Sequence, residues 1–293
     1  MSNAEFWRNL VEAQVKECLQ SCGNVSIFIG AGVSCSCGIP EWKTLAQQIV
    51  EATWKGPISG AAVQHIREWE PLLSVRLAKK KLKQKFNALL HEILYRSDPK
   101  PSPTVSTLAE TTHVREFCCY NYDDMLEAGF DLAKRKCLPI INGDEIPETH
   151  GPEAIIYHPH GFLPRQLTQA DLERPIILSE ADYHGLYGDP YSWPNLIQLR
   201  LLLCSNILFV GFSFRDPNVV RLLDIVSSLK VPYKKWVLMQ DPSADALKNK
   251  AISSQEAEML SAVEGTLLVE RGVTPYYYAD HDEVPGILKK LGL

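Results

Sequence analysis

Apolar positions follow two different periods along this chain. Residues 5–22 carry Phe6, Leu10, Val11, Val15 and Leu19 at helical spacing and stop at Gly23, which predicts an amphipathic helix. Val25, Ile27, Phe28 and Ile29 follow as a β-branched run and predict a buried strand. A helix is expected from Lys43 to Trp54, and residues 60–97 read as helical in two pieces separated at Pro71. Ser97 to Pro103 holds three prolines and reads as a linker-like turn. A second strand-like run, Val114 to Tyr120, leads into a helix at 122–134. Short apolar runs recur at 153–157, 175–178, 206–210, 235–239 and 266–270, with helical patterns at 192–204 and 217–229.

Strands alternating with helices imply an α/β fold, a mostly parallel sheet covered by helices on both faces. The helical block at 55–100 interrupts that alternation and reads as a small insertion within one domain spanning 1–293. No internal repeat or low-complexity tract is visible.

Composition narrows the possibilities. With 45% hydrophobic and 22% charged residues, the 293-residue chain reads as an ordinary soluble protein. The net charge of −5 gives no global reason to expect a nucleic-acid binder. No apolar run approaches the roughly 20 residues of a membrane span, and the start lacks a signal-peptide pattern. The eight cysteines (18, 22, 35, 37, 118, 119, 137 and 204) form no paired CxxC motifs, so they read as reduced thiols of a cytoplasmic protein rather than a zinc module.

Four segments carry candidate chemistry. Residues 27–42 read IFIGAGVSCSCGIPEW, a strand running into Gly30, Ala31 and Gly32, then Ser34, then Gly38-Ile39-Pro40. Glycines at a strand end let backbone approach a ligand, and amides at a following helix start suit a diphosphate. The spacing departs from the dinucleotide fingerprint G-x-G-x-x-G, because Cys35 stands where its third glycine would be. In CYNYDDMLE at 119–127, Asn121 and Asp123 lie two apart, so an extended exit points both to one side. There they could bind ribose hydroxyls and a carboxamide, or one of them could cap the next helix. In YHPHGFL at 157–163, His160 precedes Gly161 and is a candidate proton acceptor, whereas His158 reads as a packed histidine. In FVGFSFRDPNV at 209–219, Gly211 and Ser213 could meet ribose or phosphate, and Asp216-Pro217 reads as a helix start.

The order GAGVS…GIP, NYD, HG, GFS resembles the sirtuin superfamily over roughly residues 25–225. More narrowly, Trp42 after GIPE, Tyr122 within NYD, SEADYHGLY at 179–187 and GFSFRDPN resemble the zinc-free bacterial sirtuin-like NAD hydrolases of antiphage defence. The deacetylase branch differs. It places aspartate, aromatic and arginine after GIP, where this chain has Glu41-Trp42-Lys43, and carries four zinc cysteines after HG, where residues 162–203 hold none.

This resemblance implies a Rossmann-like fold, NAD as substrate and no metal. It implies cleavage of the nicotinamide–ribose bond with transfer to water through an oxocarbenium-like state. Asn121 would orient ribose and water, Asp123 would hold the carboxamide, and His160 would accept a proton. Gly30, Ala31, Gly32, Ser34, Gly211 and Ser213 would line the diphosphate and adenosine end, with Pro40 and Trp42 also beside the nucleotide. Defence relatives also imply a homo-oligomer held inactive until triggered, with a separate ATPase or sensor protein as partner. The first helix (5–22) and the 55–100 block are the candidates for self-association. Three rival readings are an NAD or ADP-ribose sensor without turnover, an NAD-dependent deacetylase, and a nucleic-acid component using Lys79, Lys80, Lys81, Lys83 and Lys85. The ordinary meaning of that lysine run is a solvated helix face.

Overall fold

The computed structural model describes residues 3–21, 23–54, 64–66, 69–141, 143, 153–244 and 252–293. Residues 55–63 and 67–68 of the expected insertion, and Cys22, lie outside them. Its centre is one sheet of β1 (Val25–Ile29), β2 (Glu116–Cys119), β3 (Cys137–Ile141), β4 (Ala154–His158), β5 (Asn206–Val210), β6 (Lys235–Gln240) and β7 (Val273–Tyr278). The spatial order is β3-β4-β2-β1-β5-β6-β7, and every pairing is parallel. The expected Rossmann-like α/β architecture is therefore the observed one.

The central strand β1 reads VSIFI and is buried at all five positions, as a strand covered on both faces must be. Its alternate residues divide between two cores. Ile27 and Ile29 join Phe117, Cys119, Leu208 and Val210 on one face, with helices Asn3–Gln20, Trp42–Thr53, Pro71–Leu82, Phe86–Tyr95, Pro103–Glu110, Met125–Leu132 and Val284–Leu291. Phe28 joins Cys118, Ile207 and Phe209 on the other face, beneath helices Trp193–Cys204, Pro217–Ser228 and Ser254–Glu270. Phe28 and Phe209 meet edge to face at 5.1 Å, so cross-strand aromatic packing fixes the register of Phe28 opposite Phe209.

From β1 the chain moves outward to β2, and from β5 it moves outward the other way to β6. Connections leaving neighbouring strands in opposite directions open a crevice at their carboxyl ends. The loops after β1 and β5 therefore border the place where this fold type binds ligands.

Several segments differ from the expectation. The run at 266–270 is not a strand; it ends the helix Ser254–Glu270, and the strand is Val273–Tyr278. That helix buries Ala257, Ser261 and Leu268 while Met259, Leu260, Val263 and Leu267 face outward, so its apolar run is not its packing face. Residues 175–178 form no strand; Ile176 and Leu178 are buried in an irregular stretch whose Ile177 amide donates to the His160 carbonyl. Pro103 begins a helix rather than ending a linker, with the Ser102 hydroxyl accepting from the Val105 amide. β3, β7 and the helix Val284–Leu291 had no counterpart in the pattern reading. β3 is an edge strand with Pro139 inside it, a position where proline is tolerated.

Candidate active site

The loops after β1 and β5 pack backbone against backbone. The Gly30 amide donates to the Val210 carbonyl at 2.9 Å, and the Gly32 amide donates to the Gly211 carbonyl at 3.0 Å. A Cβ on Gly30 would stand 2.5 Å from Gly211 O, and one on Gly211 would stand 2.6 Å from Val33 N. Gly211 also has φ +70°, a conformation L side chains rarely adopt. These glycines thus let two loops touch, and the Gly32 amide already has an acceptor in Gly211. Ala31, Gly32 and Ser213 are exposed at the surface of this loop pair, Gly211 is half-buried, and Ser34 is buried. Phe214 takes φ 51° and packs on Phe209 at 5.1 Å, so an aromatic contact holds strained backbone beside Ser213.

The turn after β2 is tied to the first loop by a side chain. Asn121, buried, donates from Nδ2 to the Gly30 carbonyl at 3.0 Å. The Asp123 carboxylate accepts from the Met125 amide at 3.1 Å, so Asp123 is a local cap of the following turn. Burial raises its pKa to about 6, against the lowering effect of Ser34 and of the Met125 amide.

β4 brings the two histidines into different settings. His158 is fully buried, with Nε2 at 2.8 Å from Glu127 Oε1 and Nδ1 at 3.3 Å from the Asn121 carbonyl, so it is a packed histidine that supports the turn carrying Asn121. His160 is also buried, between the rings of Tyr120 at 4.8 Å and Tyr183 at 5.8 Å, both edge-on. Its Nε2 is sealed from solvent and has no hydrogen-bond partner among the described residues. The nearest carboxylate oxygen, Asp216 Oδ2, lies 3.5 Å away. Burial lowers the His160 pKa, while Asp216 and then Asp182 pull it upward. Gly161 has φ +98°, and a Cβ there would meet Ile176 Cδ1 at 2.6 Å. Its lack of a side chain therefore admits the chain at 175–176.

The structure thus bonds Gly30, Gly32, Asn121 and Gly211 into one cluster at the carboxyl ends of β1, β2 and β5, with Ser34 and Asp123 buried in the same two loops. His160 stands on the neighbouring β4 loop, where the Leu163 amide donates to the Tyr122 carbonyl at 2.7 Å. Trp42 opens the helix Trp42–Thr53 and packs against the core, and Pro40 is half-buried before it. A cavity of about 600 Å³ between the helices at 42–53 and 71–82 is lined by Lys43, Gln47, Trp69 and Ser74 and includes neither Asn121, Asp123 nor His160. The lysine run is not a single basic surface: Lys79 pairs with Asp182 at 2.6 Å, and Lys81 sits over the Trp54 ring at 5.0 Å. Among the described residues no group of three His, Cys, Asp or Glu could hold a metal ion, and no helix is long and apolar enough to cross a membrane.

Two residues of this site have no chemical role in the pattern reading, which makes Asp216 a helix start only. Asp216 does cap its helix, its Oδ1 accepting from the Asn218 and Val219 amides at 2.9 Å each, but its Oδ2 faces His160 and accepts from Tyr183 Oη at 2.5 Å. The signal lay in GFSFRDPN and SEADYHGLY, which supply Asp216 and Tyr183.

The SIR2-like domain family matches residues 115–261, half of the chain, from β2 past β6. The chain belongs to this SIR2-like family. Over 274 residues, 92% of this chain and 26% of the relative, it is 22% identical to "Defense-associated sirtuin 2" of Bacillus subtilis. It is 24% identical over 223 residues to "NAD(+) hydrolase ThsA" of Enterococcus faecium, covering 75% of this chain and 41% of that protein. A protein of the same name from Acinetobacter baumannii is 23% identical over 222 residues, covering 73% and 41%. The SIR2-like chain spans between a quarter and two fifths of the length of the curated relatives it matches.

Proposed function

We propose that this SIR2-like chain is an NAD glycohydrolase that cleaves NAD to nicotinamide and ADP-ribose. The observation that carries the reading is His160, buried with an unpartnered ring nitrogen on the loop next to the Asn121–Asp123 turn, at the carboxyl-end crevice of a parallel sheet. Buried polar atoms without a partner are few in packed interiors, and one on a histidine ring at this crevice supports a role for His160 in the site. The two ThsA relatives are named as NAD(+) hydrolases, which supports NAD as the substrate and water as the acceptor.

In this reading Asn121 orients the ribose and the attacking water, and Asp123 receives the nicotinamide carboxamide. His160, kept neutral by burial, accepts a proton from that water or from a ribose hydroxyl. The Asp123 carboxylate stabilises the positive charge that grows on the ribose as the bond lengthens. The loops of Gly30, Ala31, Gly32, Ser34, Gly211 and Ser213 hold the diphosphate and adenosine, with Pro40 and Trp42 at their flank. The wider proposal is a cytoplasmic NAD-depleting effector of antiviral defence, a homo-oligomer activated on assembly or by a separate ATPase or sensor protein. The single-domain reading with a helical insertion at 55–100 belongs to the same proposal.

Nicotinamide release from NAD by wild type, Asn121→Ala and His160→Ala tests it, with NAD levels in expressing cells as a second readout. Loss of turnover by about 100-fold or more in both variants is expected. Equal turnover in all three would remove these residues from the chemistry. Tight NAD binding with no product in the presence of the activating partner would favour a sensor, and turnover that requires an acetylated peptide would favour a deacetylase.

A further inference from the structure

Asp216 divides its carboxylate between two tasks. Oδ1 accepts two amides at the start of the helix Pro217–Ser228, which fixes the plane of the group. Oδ2 is left to face the inside of the site, where it accepts from Tyr183 Oη at 2.5 Å and lies 3.5 Å from the unpartnered Nε2 of His160. The three side chains come from three separate elements: the β4 loop, the helix Glu180–Gly188 and the β5 loop. All three are largely shielded from solvent, His160 and Tyr183 being buried and the Asp216 side chain 17% exposed. In that setting a carboxylate acts strongly on a neighbouring imidazole.

We propose that Asp216 is the counter-ion that receives the His160 imidazolium, and that Tyr183 tunes it by sharing the same oxygen. The inference rests on the reading of His160 as the proton acceptor. When His160 takes a proton on the ring nitrogen turned away from Asp216, the ring becomes positive with Nε2 3.5 Å from Oδ2, and the carboxylate balances the buried charge. The proton later leaves to solvent. Tyr183 donates to Oδ2 and so withdraws part of the negative charge that would otherwise act on His160. Both are positioning residues, acting on the substrate only through the imidazole.

The groups facing His160 limit the other sources of such an effect. Tyr120, just past the end of β2, meets the ring in a T-shaped contact, and its hydroxyl is engaged with Gln198 at 2.5 Å. Asp182 acts from the helix at 180–188 but is neutralised by Lys79 at 2.6 Å. Glu127 is spent on His158. Asp216 is the carboxylate left to answer a charge on the ring.

The test is the titration of His160 in the ligand-free protein, followed by NMR of labelled histidines, with the signal assigned through His160→Gln. This measurement does not depend on NAD turnover, so it fails or stands separately from the proposed activity. In Asp216→Asn, which keeps an oxygen for the helix amides, the His160 pKa should fall by about one pH unit or more. In Tyr183→Phe it should rise, because Oδ2 loses a competing donor. A purely structural role predicts no shift in either variant, or a shift of the same sign in both. If Asp216→Asn does not fold, Tyr183→Phe decides alone: a rise supports the proposal, and an unchanged or lower value overturns it.

Discussion

The side-chain amide of Asn121 donates to the carbonyl of Gly30 at 3.0 Å, joining the loop after β1 to the turn after β2 across the mouth of the sheet. Both residues are buried, so the bond forms where water competes little. In the same turn Asp123 is 3% exposed, and burial leaves its pKa at about 6.

A pH dependence of stability follows from that value. In the unfolded chain an aspartate titrates near 3.9, so between about pH 4 and pH 6 the folded protein binds the extra proton. This contribution to stability is complete below about pH 4 and is lost as the pH rises through about 6, amounting to roughly 2–3 kcal/mol. Asp123→Asn should therefore melt at a higher temperature than wild type at pH 7.5, and its stability should gain less on acidification from pH 6.5 to 4.5. Thermal melts across that range check this. A wild type and variant with parallel profiles would show that Asp123 is not the group responsible.

The contact between the two glycine loops gives a second expectation. Gly211→Ala places a Cβ 2.6 Å from the Val33 amide nitrogen at φ +70°, so both space and backbone conformation oppose it. It should lower the unfolding free energy by about 2 kcal/mol or more. Gly185→Ala meets nothing within 4 Å and lies inside the helix Glu180–Gly188, so it should stabilise by about 0.5–1 kcal/mol. Denaturant unfolding of the two variants side by side separates site-specific crowding from a general effect of adding a methyl group.

The parts of this fold that were legible in sequence are those whose apolar pattern coincides with burial. β1, with Ile27, Phe28 and Ile29, and β5, with Ile207 to Val210, are buried on both faces and stand out as continuous apolar runs. β3 does not, because an edge strand containing Pro139 leaves three of its five residues only half-buried. The helix Ser254–Glu270 misleads for the opposite reason: it packs through Ala257 and Ser261 and turns Met259 and Val263 outward. The candidate site divides in the same way. Asn121, Asp123 and His160 stand where a strand hands over to a loop, a position visible in the pattern. The pairing of Tyr183 with Asp216, 33 residues apart, depends on how a helix and a strand end lie in space, and no local period encodes that.

Lys79 carries the last expectation, because it reaches from the helix Pro71–Leu82 into the segment above His160. Its Nζ donates to both Asp182 oxygens at 2.6 and 2.8 Å and to the Ile176 carbonyl at 2.8 Å. Asp182 in turn accepts from the Leu178 and Ser179 amides at 3.0 and 2.7 Å, and the intervening Ile177 amide donates to the His160 carbonyl. One ammonium group therefore closes a chain of bonds that ends on the backbone of the candidate base. The pair is only about a quarter exposed on either side, whereas the neighbouring Arg76–Glu180 pair is 49% and 38% exposed. Removing one partner of a largely shielded ion pair strands the other, while an exposed pair contributes little. Lys79→Ala should cost about 2 kcal/mol and speed amide exchange at Ile177, Leu178 and Ser179, and Arg76→Ala should change stability by no more than about 0.5 kcal/mol. Hydrogen exchange resolved to single amides checks the pattern: equal protection in the two variants would mean that Lys79 does not hold this segment in place.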